Sequence, residues 1–99
     1  MANTGVIQIG NSDDKLTQAE WSEYVTELNQ ILQNWQVSVH FLGYSPANAP
    51  WQNACWVFEV ETDPWLEDMK AELSYLARKF RQDSIAFTIG DTEFVKSDG

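Results

Sequence analysis

The chain contains a single histidine, His40, and a single cysteine, Cys55, and each lies in a segment where apolar and polar residues alternate. Such alternation is typical of strands with one buried face. If the two segments form an antiparallel hairpin in which Val39 lies opposite Trp56, then His40 lies opposite Cys55 on the other face. An imidazole next to a thiol stabilises the thiolate, which is a nucleophile. The pair is therefore the fallback catalytic site, although no residue nearby in the sequence is placed to orient the histidine.

The same residues are better interpreted as part of a contact surface. In this hairpin Leu42 and Val57 join the pair on the sheet face that points away from the helices, which makes the face too apolar to be simply exposed to water. An uncovered face of this kind meets a second subunit or is overlaid by a loop, and we expect a homodimer through it. Aromatic residues beside the face extend the predicted ligand- or partner-binding surface, whose members are His40, Tyr44, Trp51, Cys55 and Trp65.

Other catalytic and metal-binding patterns are missing from the sequence. It has no glycine-rich phosphate loop and no Gly-x-Ser-x-Gly elbow, and one histidine with one cysteine cannot build a zinc site. The adjacent acids at 13–14 and 67–68 are typical of a turn and of a helix start. A carboxylate acting with Ser84 is a further enzymatic alternative. The sequence predicts a non-enzymatic protein without a metal or cofactor.

Two amphipathic helices are predicted. Thr17 followed by Glu20 is a capping-box signature, so the first helix begins at Gln18, and its apolar stripe runs to Trp35. The second helix begins at Pro64, because proline is favoured at the first helical position, with Asp63 as its N-cap. Its stripe consists of Leu66, Met69, Leu73, Leu76 and Phe80.

Strands are predicted at 5–10, 37–42 and 54–61, followed by a C-terminal hairpin over 84–95 that turns at Gly90-Asp91. The order βαββαββ predicts an α+β fold of the ferredoxin-like, split βαβ type, with two helices packed on one face of the sheet. We expect one domain, with 1–4 and 96–99 frayed. The buried strand positions include Val37, Val39, Phe41, Ile85, Ile89 and Phe94, and the centre of the core is Trp21, Leu28, Trp56, Phe58, Leu73, Phe80 and Phe87.

Acidic residues dominate the charge of the chain. Fifteen acidic residues and six basic ones give a formal net charge of −9, and residues 16–69 contain no lysine or arginine. Such a surface repels phosphate backbones, which disfavours direct nucleic-acid binding and leaves a basic protein partner or simple solubility as interpretations. The sequence has no apolar run of membrane-spanning length and no signal-peptide pattern, so we expect a cytoplasmic protein without membrane contact.

A pattern in the second half of the chain resembles a known group of proteins. The predicted helix ends at Phe80, and Gln82, Asp83 and Ser84 lead into a strand at Ile85. Together with the upstream sequences FLGY and WVFEVE, residues 41–95 resemble small uncharacterised accessory proteins carried by phages, plasmids and integron gene cassettes. The resemblance implies an accessory role on a mobile element and no particular reaction. From the residues alone, 82–84 are expected to bond to the end of the helix or the start of the strand.

Three functional hypotheses follow from the sequence. The first is a small acidic binding or regulatory protein, homodimeric, that engages a protein partner through its acidic surface or its aromatic loop. The second is a small-molecule-binding domain with an aromatic pocket near Trp51 and Tyr44. The third is an enzyme that depends on Cys55 and His40.

Overall fold

The computed structural model describes residues 3–60 and 66–97, which form a four-stranded sheet and two helices. The prediction that Asp63 and Pro64 begin the second helix lies outside these residues, as does Trp65. The elements are β1 (Asn3–Gly10), α1 (Gln18–Asn34), β2 (Ser38–Tyr44), β3 (Asn53–Val60), α2 (Leu66–Lys79) and β4 (Ala86–Asp91), with a 3-10 turn at Ser12–Asp14.

The sheet has the strand order β2-β3-β1-β4, and every neighbouring pair is antiparallel. Since β3 is antiparallel to both β1 and β2, those two strands are parallel and leave room for β3 between them. This is the split βαβ arrangement, repeated for β3, α2 and β4 around β1. The predicted α+β, ferredoxin-like fold is confirmed.

The helices bury their apolar stripes on one face of this sheet. Trp56 and Phe58 are fully buried in β3, and Tyr24 and Leu28 are fully buried in α1 against them. Burying each large aromatic side chain removes on the order of 150–250 Å² from water, so a few such residues account for much of the core. Every residue predicted for the centre of the core is buried except Phe87, which packs half-buried against the others.

Local signals set the ends of the helices. The Thr17 hydroxyl accepts a hydrogen bond from the Glu20 backbone N–H while the Glu20 carboxylate accepts one from the Thr17 N–H, so the predicted capping box is confirmed. Each helix is followed by a residue with positive φ, which is Gln36 after α1 and Arg81 after α2. The next N–H in each case bonds back to a carbonyl of the last turn, at Leu32 and Ala77 respectively, which is the Schellman pattern.

Asn11 connects the loops at one end of the sheet. It is fully buried, its side-chain oxygen accepts from the Leu16 N–H at 2.8 Å, and its amide donates to the Leu16 carbonyl at 3.0 Å. Its backbone N–H donates to the Gln52 carbonyl at 2.8 Å. The start of α1 is therefore fixed to the segment that enters β3.

A bulge at His40 changes which side chains of β2 face the helices. Val39 pairs with Phe58 but Phe41 pairs with Val57, so His40 is an extra residue between them. Paired residues share a face, which places Phe41 on the face away from the helices and Leu42, opposite Trp56, on the helix side. The predictions that Phe41 is buried and that Leu42 points outward are therefore wrong. Val39 is also more exposed than predicted, at 42%, because β2 is an edge strand.

The predicted C-terminal hairpin is also wrong. Gly90 and Asp91 pair with Thr4 and Asn3 of β1 instead of turning, and residues 92–97 form no strand. The reason is that β1 begins at Asn3, inside the segment predicted to be frayed, and so offers a partner for two more residues of β4. Phe94, predicted to lie in the core, is 69% exposed, and Ile89 is 38% exposed.

Candidate functional site

The structure separates His40 from Cys55. Cys55 pairs with Gly43 in β2 and with Gln8 in β1, whereas His40 lies in the bulge and its Nε2 is 4.0 Å from a carboxylate oxygen of Glu59. The prediction that the imidazole and the thiol face each other is therefore wrong. The assumed register differed from the observed one, and even a small slip moves every side chain relative to its partner.

The sheet face away from the helices, here called the outer face, is mostly uncharged. Val6, Cys55 and Val57 lie half-buried at its centre, and Phe41 is 57% exposed beside them with its ring over Gly43. Among the residues of the described strands, Glu59 is the one acidic side chain that pairing places on this face. The outer face consists of Thr4, Val6, Gln8, Gly10, Ser38, Phe41, Gly43, Asn53, Cys55, Val57, Glu59, Ala86, Thr88 and Gly90.

The predicted aromatic binding residues Tyr44 and Trp51 do come together. They line a hollow of about 440 Å³ between the 45–52 loop and the start of α1, here called the loop hollow. Trp21 contributes to its wall, and the side-chain amides of Gln18 and Gln52 bond to each other there at 2.9 and 3.2 Å. The loop hollow therefore combines aromatic surfaces with polar groups, as sites for small organic molecules do.

A second concave surface, which the sequence did not predict, lies between the two helices. This interhelical groove has a volume of about 460 Å³. Its apolar part comes from Ile31, Ala71, Leu76 and the 66%-exposed Tyr75, and its polar rim consists of Glu27, Gln30 and Glu72. The available signal was Tyr75, a large aromatic residue on the polar side of the α2 stripe, four positions after Ala71.

Two carboxylates at the rim of the interhelical groove accept hydrogen bonds from other side chains of the chain. Glu27 accepts from Lys79 Nζ at 2.7 Å, and Glu72 accepts from the indole Nε1 of Trp35 at 2.7 Å. The hydrogen bond from Lys79 to Glu27 raises the pKa of the lysine. Both carboxylates thus point to where a cationic or N–H donor can reach them.

Among the three polar residues predicted to bond at the end of α2, Gln82 has that role. Gln82 is buried, its amide donates to the Phe80 carbonyl at 3.2 Å, and its side-chain oxygen accepts from the Ser12 N–H at 3.2 Å. Ser84 is exposed and lines a different hollow with Lys70 and Arg78. Gln82 therefore connects the end of α2 to the 3-10 turn.

The described residues contain no group of three or more His, Cys, Asp or Glu side chains arranged to hold a metal ion. In the same residues, neither helix has the length and apolar character needed to cross a bilayer.

Comparison with known proteins identifies the fold. No protein-family model matches the chain, and no curated protein matches it either. In structure the chain is similar to part of formyltetrahydrofolate deformylase from Pseudomonas putida and from Burkholderia mallei, with TM-scores of 0.56 and 0.56 and identities of 12% and 15%. The similarity covers 93% and 91% of this chain but 29% and 28% of those proteins, so the chain spans less than a third of their length.

A dimeric ferredoxin-like protein from an uncultured marine organism matches over nearly its whole length. The TM-score is 0.50 and the identity 12%, covering 97% of this chain and 93% of that one. At such identities the comparison supports the ferredoxin-like fold and nothing finer.

Proposed function

We propose that the protein is a non-enzymatic binding protein that works as a homodimer, with the outer faces of two copies packed together. The proposal rests on the difference in charge between the whole chain and this face. The chain has a formal charge of −9, whereas the outer face holds one acid among its described residues and has Phe41 exposed beside half-buried valines. Two such acidic molecules associate most readily through a surface that places few like charges together.

The size of the outer face is sufficient for a weak to standard dimer. Four strands at about 4.8 Å spacing and eight residues at about 3.3 Å each give a face of roughly 19 by 26 Å. Packing two copies together would then bury about 1,000 Å² in total, summed over both faces, and the side chains that project from the sheet add to this area. The total reaches the lower limit for specific interfaces. The marine ferredoxin-like protein is dimeric, which supports homodimerisation as such.

Sedimentation equilibrium across a range of protein concentrations tests the dimer. Phe41→Ser removes the exposed ring, and Thr88→Glu places a second acid on the outer face at an exposed edge position. We expect each variant to raise the dimer dissociation constant by about tenfold or more. Ser74→Glu, which adds the same charge on the exposed side of α2, is the matched control and should dimerise like the wild type.

The dimer proposal fails if the wild-type protein is monomeric at about 100 μM. A dimer dissociation constant well above that concentration would be too weak for specific association. It also fails if both outer-face variants dimerise as well as the Ser74→Glu control. Circular dichroism of every variant shows whether a loss of dimer reflects unfolding instead.

The partner of this dimer is proposed to be a basic protein. With the outer faces packed together, the helical layer stays exposed, and α1 contributes Glu20, Glu23 and Glu27 to it without any lysine or arginine. Arg81 and Lys79 pair with Glu20 and Glu27, and Glu23 adds acidic charge beside them. The accessory role on a mobile element is a proposal of the same kind and rests on the sequence resemblance. An acidic surface attracts a basic partner at long range, and salt screens this attraction.

The loop hollow favours a second candidate function, the binding of a small organic molecule. Tyr44, Trp51 and Trp21 line it together with the paired glutamine amides. Quenching of tryptophan fluorescence by a panel of aromatic and apolar compounds tests this function, with Tyr44→Ser as the variant that should weaken binding, because it leaves Trp21 and Trp51 in the hollow as reporters. A panel without saturable quenching, or binding to Tyr44→Ser that is as tight as to the wild type, would exclude the hollow as the site.

A further inference from the structure

We infer that the interhelical groove binds a basic peptide segment of a partner protein, with one large apolar side chain of the segment seated between Ile31 and Tyr75. The inference rests on the proposed function and names the place where the partner binds.

The shape of the interhelical groove suits one anchoring side chain. Ile31 is half-buried and packs against the core, Leu76 is buried, and Tyr75 is 66% exposed above them. An exposed aromatic ring next to a concave apolar surface gains contact area when a partner side chain packs against it. The residues Glu27 to Ile31 span about one helical turn, so the groove receives a single anchor and its neighbours in sequence.

The charge of the rim determines the kind of segment. Glu27 and Glu72 lie on opposite helices at the rim, and Glu23 lies close enough to Lys79 to raise the pKa of that lysine further. Lys79 is the cation that the structure places on Glu27, at 2.7 Å. The acidic groups at this rim therefore exceed the basic ones in the described residues, and an incoming arginine or lysine complements them.

Lys79 shows the geometry that such a cation would adopt. Its ammonium group lies against the Glu27 carboxylate and 5.7 Å from the centre of the Phe80 ring. A basic partner residue reaching the same carboxylate would compete with Lys79. Removing the lysine positive charge should therefore strengthen binding of a basic segment, which a purely structural role of the ion pair does not predict.

Fluorescence anisotropy with three labelled peptides of about twelve residues tests the inference. The first peptide has one central leucine flanked by arginines and lysines, the second has alanine in place of that leucine, and the third has glutamates in place of the basic residues. We expect saturable binding of the first, weakened by added salt, about tenfold weaker binding of the second, and none of the third.

Variants of the full chain then locate the site. Tyr75→Ser and Glu72→Gln should weaken binding of the leucine peptide, the first by about tenfold, and Lys79→Gln should strengthen it several-fold. Phe94→Ser is the matched control and should bind the peptide as the wild type does, because Phe94 is similarly exposed, at 69%, and does not line the groove.

The groove is excluded if the leucine and alanine peptides bind equally, because attraction would then depend on charge alone. It is also excluded if Tyr75→Ser binds as the wild type does, or if the leucine peptide does not bind. Sedimentation equilibrium measures dimer formation separately, and Tyr75→Ser should dimerise as the wild type does. A dimer without peptide binding thus refutes the groove alone, and peptide binding by a monomer refutes the dimer alone.

Discussion

Gly5 lies directly opposite Phe58 where β1 pairs with β3, and the Phe58 ring fills the space that a side chain at position 5 would need. A Cβ atom placed on Gly5 would lie 2.4 Å from Cζ of Phe58 and 2.8 Å from a methyl carbon of Val60. Phe58 is fully buried, so its ring cannot move into solvent. The close approach of the backbone to this ring explains a glycine in a central strand.

We therefore expect Gly5→Ala to destabilise the protein by about 1–3 kcal/mol through overpacking. Gly90→Ala is the matched control, since nothing lies within 4 Å of its Cβ position on the edge strand β4. It should change stability by less than about 0.5 kcal/mol. Urea unfolding of both variants measures the difference, and equal values for the two would contradict the tight packing at Gly5.

The buried indole of Trp56 depends on Asn29. Its Nε1–H donates to the Asn29 side-chain oxygen at 2.6 Å, and Trp56 is fully buried. Asn29→Ala leaves this donor without its acceptor, so we expect a loss of about 1–3 kcal/mol. Asn29→Asp keeps an acceptor oxygen and should lose less.

The control for this prediction is Gln30→Ala on the exposed side of the same helix, where the Gln30 amide bonds to Asn34 at 3.0 Å. Its free energy of unfolding should stay within about 0.5 kcal/mol of the wild type. Denaturant unfolding followed by tryptophan fluorescence measures all three variants. A stable Asn29→Ala variant would show that the indole finds another acceptor.

The Tyr24 hydroxyl is buried without a hydrogen-bond partner among the described residues. Burial raises the pKa of Tyr24 to about 12, and its ring stacks on Phe80 with 4.8 Å between the ring centres. Tyr24→Phe keeps the ring and removes a polar atom that lost its water on folding. We expect stability to be unchanged or higher by up to about 1 kcal/mol. Thermal unfolding measures the effect, and a clear loss of stability would reveal a bonded hydroxyl.

The carboxylate of Glu20 makes stability depend on pH. It accepts hydrogen bonds from the Thr17 N–H at 2.9 Å and from Arg81 Nη2 at 2.8 Å, and these contacts lower the pKa of Glu20. Because the pKa is lower in the folded state, the stabilisation is present above the ordinary glutamate pKa of about 4.3 and is lost as the pH falls through the folded value. Glu20→Gln cannot titrate, so it should be less stable than the wild type at neutral pH.

The stability difference between the wild type and Glu20→Gln should shrink as the pH falls from about 5 to about 3. Urea midpoints measured at several pH values test this. The contacts lie at the surface, so added salt should reduce the Arg81 part of the difference. A difference that stays constant with pH would show that the charge of Glu20 contributes nothing.

The sequence determined the elements whose signals are local. Thr17 and Glu20 are three positions apart, so their reciprocal hydrogen bonds follow from helix geometry alone. The apolar spacing in each helix and the alternation in β3 indicated the buried faces, because both periods are properties of one element. The order of these elements then limited the fold to the ferredoxin-like arrangement.

Tertiary structure alone decided the features that depend on two distant segments. The bulge at His40 turns Phe41 outward, and it arises from how β2 fits against β3. Gly90 continues β4 because it pairs with Thr4 of β1. Pairing with this distant strand outweighs the local preference of Gly90-Asp91 for a turn. The interhelical groove exists because α1 and α2 pack side by side, and neither helix contains it by itself.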